Sequence, residues 1–161
     1  MPGPSNMVWA PGQTLASADV SEWLIPVRAL KTSATNRTAT SRSNDPDLIF
    51  PLQANSRYVF EFTIFYTCTA GNLIWNFSVP GGWTGHYSIL MNNSAGTLIL
   101  EDHAFADVMS SSGSVANPCL TVDGIVLTTT ANNMAFSWAS SVGTSTASTL
   151  NGSTAMAWKV G

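Results

Sequence analysis

The segment Asp47–Pro80, DLIFPLQANSRYVFEFTIFYTCTAGNLIWNFSVP, decides the fold because it holds three apolar runs separated by turn-forming residues. The runs cover residues 48–52, 58–67 and 73–79 and are rich in the aromatic and β-branched side chains that favour strands. One face of the middle run is wholly apolar, with Tyr58, Phe60, Phe62, Ile64 and Tyr66 in phase. Because alternate side chains of a strand point to opposite faces, the segment predicts core strands of a two-layer β protein.

The rest of the body has the same spacing of short apolar runs and turn signals. Further strands are predicted at 83–91, 97–101, 104–109, 119–130, 134–140 and 155–160, of which the one at 104–109 lies in an ambiguous segment that also has the composition of a loop. Within the fourth of these, Asp123-Gly124 is a hairpin or bulge signal. Turn signals about every ten residues are typical of an all-β fold. We therefore predict an antiparallel β-sandwich or jelly roll, with no helix after residue 31.

The N-terminal part of the chain differs from the body in composition. Residues 1–13 carry three prolines and predict an extended arm, whereas the spacing of apolar residues before Pro26 predicts one short helix that ends near Ile25. A kink or fresh turn should follow to Leu30, and residues 32–46 have the composition of a linker. We expect residues 1–45 to form an arm, helix and linker, and residues 46–161 to form the sandwich. The apolar helix face, centred on Trp23, needs cover from the body or from a partner.

The charges are few and unevenly distributed. Only 9% of the residues are charged, against about 25% in an average globular protein, so Ser, Thr, Asn and Gly must make up much of the surface. Four of the six basic residues lie close together, namely Arg28, Lys31, Arg37 and Arg42. They either solvate a linker or dock on an acidic partner. Nucleic acid is not an expected partner, since the net charge is −3 and no aromatics alternate with these charges.

The cysteines and the N-terminus bear on the compartment. Cys68 and Cys119 are fifty residues apart without metal-ligand spacing, and we expect two free thiols in a core. The N-terminus lacks the basic and apolar regions of a secretory signal, and no run of eighteen apolar residues predicts a membrane span. We expect synthesis in a host cytoplasm and no membrane partner.

Few side chains in the sequence are candidates for catalysis or metal binding. Glu101, Asp102, His103 and Asp107 have side chains that can bind metals, but their spacing favours a solvated acidic loop. Cys68 ends an apolar strand, where an inert buried thiol is expected. Glu61 and Asp123 would suit a glycosidase only if the fold brought them together in one cleft. The sequence has no nucleophile elbow, phosphate loop or dinucleotide fingerprint. We expect neither catalysis, nor a cofactor, nor a metal.

Four motifs spread over most of the chain carry a family resemblance. They are Gly12-x-x-Leu15-x-x-Ala18-Asp19-Val20 with Trp23-Leu24, then Asp45-Pro46-Asp47-Leu48 with Leu52-x-Ala54-Asn55-x-x-Tyr58-x-Phe60, then Asn72-Leu73-x-Trp75-x-Phe77-x-x-Pro80, and finally Gly152-Ser153 with Ala157-Trp158. The chain resembles a group of small virion proteins of tailed bacteriophages, especially those of actinobacterial hosts. These are capsid decoration proteins, head fibres or minor tail proteins. The resemblance implies a structural role on a virion and carries over no catalytic residue.

Two hypotheses follow from this resemblance. The first is a capsid decoration or head-fibre protein, bound to the major capsid protein on the head surface through residues 1–45 and self-associated as a homotrimer. Its candidate anchor residues are Trp9, Trp23, Leu24, Arg28, Lys31, Arg37 and Arg42. The second is a receptor-binding module of a tail, in which an exposed Trp83, His86 and Tyr87 stack on a host-surface glycan. For these three residues, ordinary strand packing is the competing interpretation.

Overall fold

The computed structural model describes residues 25–92, 98–112 and 118–160 and shows an all-β protein. The strands are β1 (Val27–Leu30), β2 (Thr35–Arg37), β3 (Ser43–Leu52), β4 (Ser56–Cys68), β5 (Asn72–Ser78), β6 (Thr84–Asn92), β7 (Leu98–Ala104), β8 (Met109–Ser112), β9 (Cys119–Thr128), β10 (Asn132–Ser140), β11 (Ala147–Thr149) and β12 (Thr154–Lys159). The described residues include no helix, and therefore none long and apolar enough to cross a membrane.

The strands form two antiparallel sheets that enclose one core, which confirms the predicted β-sandwich. The larger sheet has the order β1-β12-β4-β9-β6-β7, and β11 joins it by pairing with both β4 and β2. The smaller sheet has the order β3-β10-β5-β8. β4 is central to the larger sheet, since it pairs with β12 on one side and with β9 along ten consecutive residues on the other.

The predicted apolar face of β4 supplies the centre of the core. Phe60, Phe62 and Ile64 are fully buried, as the alternation of side chains along this strand predicts. Phe62 packs across the sandwich on Phe77 of β5, with ring centroids 4.9 Å apart. Pairs of this kind contribute about 0.5–1.5 kcal/mol each beyond the area they bury. The segment quoted at the outset therefore contributes one strand to the larger sheet and two to the smaller.

Two local predictions in the body were wrong. Asp123-Gly124 does not form a turn, because β9 continues through it. At Gly124 the neighbouring chains approach closely: a Cβ there would lie 2.4 Å from Cζ of Phe60 and 2.6 Å from the carbonyl oxygen of His86. A glycine within a strand often marks such an approach. The strand predicted at 104–109 is also absent, since β7 ends at Ala104 and β8 begins at Met109.

The N-terminal prediction needs correction within the described residues. The turn expected up to Leu30 is instead strand β1, in which Val27 pairs with Ala157 of β12. The segment expected to be a linker contains β2 and the first residues of β3, so the predicted boundary at 45/46 falls inside a strand. The sequence VRAL, residues 27–30, is compatible with an edge strand. Its pairing with β12 makes it a strand and not a turn. The predicted arm and nearly all of the predicted helix lie in residues 1–24, outside the described part.

Candidate functional site

The outer face of the larger sheet exposes large apolar side chains. Seven of them lie on its strands at positions that alternate with core residues: Leu30, Val59, Phe65, Leu90, Leu100, Ile125 and Leu127. Leu100 is 73% exposed and Leu30 is 59% exposed. Leu90 and Leu100 are direct cross-strand partners, as are Val59 and Ile125, whereas three threonines separate Leu30 from Leu90. We call these seven side chains, together with the carboxylates described next, the outer face.

Three carboxylates cross this face in one line. Glu61 of β4 and Asp123 of β9 are direct cross-strand partners, and Ser88 of β6 separates Asp123 from Asp102 of β7. None of the three carboxylates forms an ion pair with another described residue. Like charges directly opposite each other destabilise a sheet. Arg28 of β1 lies in the same row, next to Met156 of β12, and Arg57 faces the same side beside Leu127, so the outer face carries charges of both signs.

The fold thus brings Glu61 and Asp123 together, which is the condition that a glycosidase interpretation required. The two residues lie on a sheet face and not in a cleft between elements. One cavity of about 460 Å³ lies elsewhere in the described part, and it is lined by Val27 of β1, Leu52 and Tyr58. A pair of carboxylates on an open face does not enclose the sugar ring that both must contact.

The candidate anchor residues are dispersed. Trp9, Trp23 and Leu24 lie outside the described residues, and their anchoring role stays a prediction. Arg28 and Arg42 are exposed. Lys31 and Arg37, in contrast, make contacts inside the protein. The four basic residues do not form one patch.

Lys31 is the largest departure from the sequence-based expectation. Its side chain is fully buried, and its Nζ donates to Oδ1 of Asp45 and Oδ2 of Asp47, both at 3.0 Å, and to Oγ1 of Thr35 at 2.7 Å. Three donors thus meet three acceptors, which satisfies the ammonium group. Lys31 neither solvates a linker nor reaches a partner surface in this structure. The spacing of Lys31 and Asp45 in the sequence does not indicate that the two side chains form an ion pair.

Asp45 is the centre of the same network. Its Oδ2 accepts hydrogen bonds from Nε1 of Trp138 at 3.0 Å and from Oγ1 of Thr149 at 2.7 Å. Burial raises the pKa of Asp45, but hydrogen bonds from Thr149, Lys31, the amide of Asp47 and Trp138 outweigh burial and hold the pKa below its usual value. Asp45 is therefore an ionised structural group that links strands of both sheets.

Arg37 packs on Trp138 as part of the same region. Its guanidinium carbon lies 4.2 Å from the centroid of the indole ring, within the range of a cation–π contact. The guanidinium also donates to the carbonyl oxygens of Trp138 at 2.9 Å and of Asn44 at 2.6 Å. Burial lowers the pKa of Arg37, while the charge of Asp45 acts in the opposite direction. These contacts fix the end of β2 against β3 and β10.

The glycan platform expected at residues 83–87 is not exposed. Trp83 is 6% exposed and its Nε1 donates to the carbonyl oxygen of Thr130 at 3.2 Å. Tyr87 is 1% exposed and packs edge-on against Phe77, with centroids 5.1 Å apart. Only His86 points outward. Strand alternation sends Tyr87 inward and His86 outward, so the three side chains do not share a face.

The acidic loop positions its histidine between two carboxylates. Nε2 of His103 lies 3.1 Å from Oε2 of Glu101, and Nδ1 lies 3.2 Å from Oδ2 of Asp107. Asp102 points to the outer face instead and does not join them. Among the described residues, no group of three or more His, Cys, Asp or Glu side chains has a geometry that could hold a metal ion.

Both cysteines are free thiols, as the sequence predicted. Burial raises the pKa of Cys68 to about 11 and also raises the pKa of Cys119. Since the thiolate is the nucleophilic form, both groups are unreactive near neutral pH. The raised pKa of Cys68 agrees with the buried, inert thiol that the sequence predicts.

Comparisons with known proteins identify no family for this chain. No protein-family model matches the chain, and no curated protein matches it. Among solved structures, the VP2 subviral particle of infectious bursal disease virus is similar over 84% of this chain and 37% of that chain, with 10% identity and a TM-score of 0.19. The structure of the Gx strain of the same virus has 13% identity, covers 84% and 36%, and has a TM-score of 0.16. The chain spans little more than a third of those chains, and similarity at this level carries no functional argument.

Proposed function

We propose that this chain is a non-enzymatic structural protein of a tailed-phage virion, and specifically a capsid decoration protein on the outer surface of the head. The observation that carries the proposal is the outer face, where seven large apolar side chains stand exposed on one sheet. Monomeric soluble proteins rarely expose contiguous apolar patches of more than a few hundred Å² without a functional reason. Such a face is expected in a protein whose sheet is covered by another protein in an assembly.

The sequence motifs supply the type of assembly. The four motifs resemble those of small phage virion proteins, and the three that lie in the described part of the chain fall on β3, β4, β5 and β12. The buried charges of Lys31 and Asp45 hold parts of the two sheets together and have their partners inside the protein. A structural role requires a stable fold and a contact surface, and it does not require a catalytic group.

We prefer the hypothesis of a head decoration protein to that of a receptor-binding tail protein. The receptor-binding hypothesis relied on Trp83, His86 and Tyr87 as a sugar-stacking surface, and two of these side chains are buried in the core. A decoration protein is present in many copies, so each contact can be weak while the array as a whole is stable. A closed oligomer, which we propose is a homotrimer, matches the local symmetry of a capsid.

Labelling of particles tests the assignment. We would raise antibodies against the purified chain and apply them with gold conjugates to intact particles of the phage that encodes it. We expect gold over the heads of most particles. Gold confined to tail tips would replace decoration by the tail alternative. Particles of a mutant that lacks the gene serve as the control for background.

A further inference from the structure

We propose that the cavity of about 460 Å³ at one end of the sandwich binds the side chain of Trp23 from the same chain. The inference goes beyond the proposed function and does not depend on it, because it concerns how residues 1–24 attach to the sandwich. The sequence leaves open whether the body or a partner covers the apolar side chains around Trp23. The inference assigns that cover to the body.

The cavity is lined by residues of both sheets. Val27 of β1 and Ala157 of β12, which are direct cross-strand partners, line it from the larger sheet. Pro51 and Leu52 of β3 line it from the smaller sheet. These four side chains are aliphatic, so the cavity suits an apolar occupant.

The volume of the cavity is sufficient for an aromatic side chain. It measures about 460 Å³, within the range of about 300–1,000 Å³ that is typical of small-molecule sites. An apolar cavity of about 150 Å³ already admits a benzene ring. The larger ring system of an indole therefore has enough room here.

The course of the chain brings Trp23 to the mouth of this cavity. Ile25, the first described residue, lines the cavity, although its own side chain is 66% exposed. Trp23 is two residues earlier, so its Cα lies within about 7 Å of the Cα of Ile25. So short a tether gives the indole ring a high local concentration at the cavity. A ring bound there would also cover the exposed side chain of Ile25.

The polar groups at the cavity match the charge of the same segment. Nζ of Lys159 donates to Oε1 of Gln53 at 2.7 Å, and both residues line the cavity, whose described lining contains no carboxylate. Residues 1–24 contain no Lys or Arg, and Glu22 directly precedes Trp23. Binding of Trp23 therefore brings a carboxylate near the one cation of this lining. Complementary charges of this kind fix the register of a contact.

The tether also favours the chain's own Trp23 over other occupants. The corresponding side chain of a second copy loses translational and rotational freedom when it binds, whereas an attached side chain has already lost that freedom. A small apolar molecule has the same disadvantage. We therefore commit to an intramolecular contact, and the experiments below distinguish it from an exchange of segments between two copies.

Nuclear Overhauser contacts in the full-length chain test the inference. We would label the methyl groups and assign the indole protons of Trp23 as the signals that Trp23→Phe removes. We expect contacts between this indole and the methyl groups of Leu52 and Ala131, which line the cavity and are distant from Trp23 in sequence. A folded chain in which Trp23 contacts neither methyl group would overturn the inference.

A mixed sample identifies the chain that supplies the ring. Deuterated chains with protonated methyl groups would be unfolded together with unlabelled chains and refolded as an equal mixture. In this mixture, a contact from the carbon-bound ring protons of Trp23 to the labelled methyl group of Leu52 arises only between two molecules. We expect no such contact. Its presence would show that a second copy supplies the ring and would overturn the inference.

Thermal unfolding measures the contribution of the contact to stability. We expect Trp23→Ala to lower the Tm by about 5 °C or more, because the cavity loses its occupant. Trp9→Ala is the matched control, since it removes the same side chain from the same segment at a position sixteen residues from Ile25. Its Tm should stay within about 2 °C of that of the unmodified chain. Equal decreases in Tm for the two variants would overturn the inference, as would an unchanged Tm for Trp23→Ala.

Discussion

At the residue scale, the Lys31–Asp45 pair ties the two sheets together. Lys31 follows β1 of the larger sheet, and Asp45 lies on β3 of the smaller sheet, with Nζ and Oδ1 3.0 Å apart. Removal of one partner from a buried ion pair leaves the other charge uncompensated. The pair therefore affects stability far more than an exposed charge does.

Replacement of Lys31 by Met tests this role. We expect Lys31→Met to lower the free energy of unfolding by about 3 kcal/mol, because Asp45 and Asp47 lose their counter-charge. Arg28→Met, three residues earlier and exposed, should change it by less than about 0.5 kcal/mol. Urea unfolding followed by tryptophan fluorescence measures both. A loss for Lys31→Met as small as that for Arg28→Met would show that the buried pair contributes little.

Asp45 also predicts how stability depends on pH. A carboxyl whose pKa is lowered by folding stabilises the protein above its unfolded-state pKa, and this contribution is lost as the pH falls through the lowered value. We expect unfolding free energies to fall below about pH 4. Asp45→Asn should be less stable at pH 7 and should show a smaller fall between pH 5 and pH 3. The same pH profile in both proteins would contradict the role assigned to Asp45.

At the scale of elements, the close approach at Gly124 sets the spacing of three central strands. Any Cβ at this position meets the ring of Phe60 and the carbonyl oxygen of His86, the latter on backbone that cannot move aside easily. We expect Gly124→Ala to destabilise the protein by about 1–3 kcal/mol through overpacking. Gly81→Ala is the control, since a Cβ there has nothing within 4 Å. Thermal unfolding measures the Tm of both variants. Equal decreases in Tm would contradict the role assigned to Gly124.

The strands that sequence reasoning found are those whose own side chains determine their structure. β4 and β5 have an alternation that only a strand with a buried face explains, and both were predicted nearly to their ends. β1, β2 and β11 are only three or four residues long: β1 and β11 pair with the longer strands β12 and β4, and β2 pairs with β11. Such pairings join residues far apart in sequence, so local propensity does not reveal them.

The candidate site was predictable only in part for the same reason. The sequence identified Glu61 and Asp123 as the pair to examine, but only the β4–β9 register shows that they are neighbours. Burial of Tyr87 and exposure of His86 follow from alternation along β6, which can be read from the sequence, whereas Trp83 precedes this strand. Burial of Lys31 has no such signal, because its partners lie on other elements.

At the scale of the whole molecule, the sandwich carries outward one face with seven exposed apolar side chains and charges of both signs, while the described interior leaves the buried hydroxyl of Tyr87 without a hydrogen-bond partner. The interior explains why the fold is stable, and the face explains why the protein would work in an assembly. The described residues do not assemble a metal site or expose the expected glycan platform. The exposed outer face is the feature on which the proposed structural role rests.

The number of copies of this chain per particle tests the central claim most directly. Purified particles of the phage that encodes the chain would be digested and quantified by mass spectrometry against the major capsid protein. The proposal predicts copies in a fixed ratio to capsid subunits or capsomers, which amounts to many copies on each particle. A small number in multiples of three or six would assign the chain to the tail, and its absence from the particle would contradict a virion role.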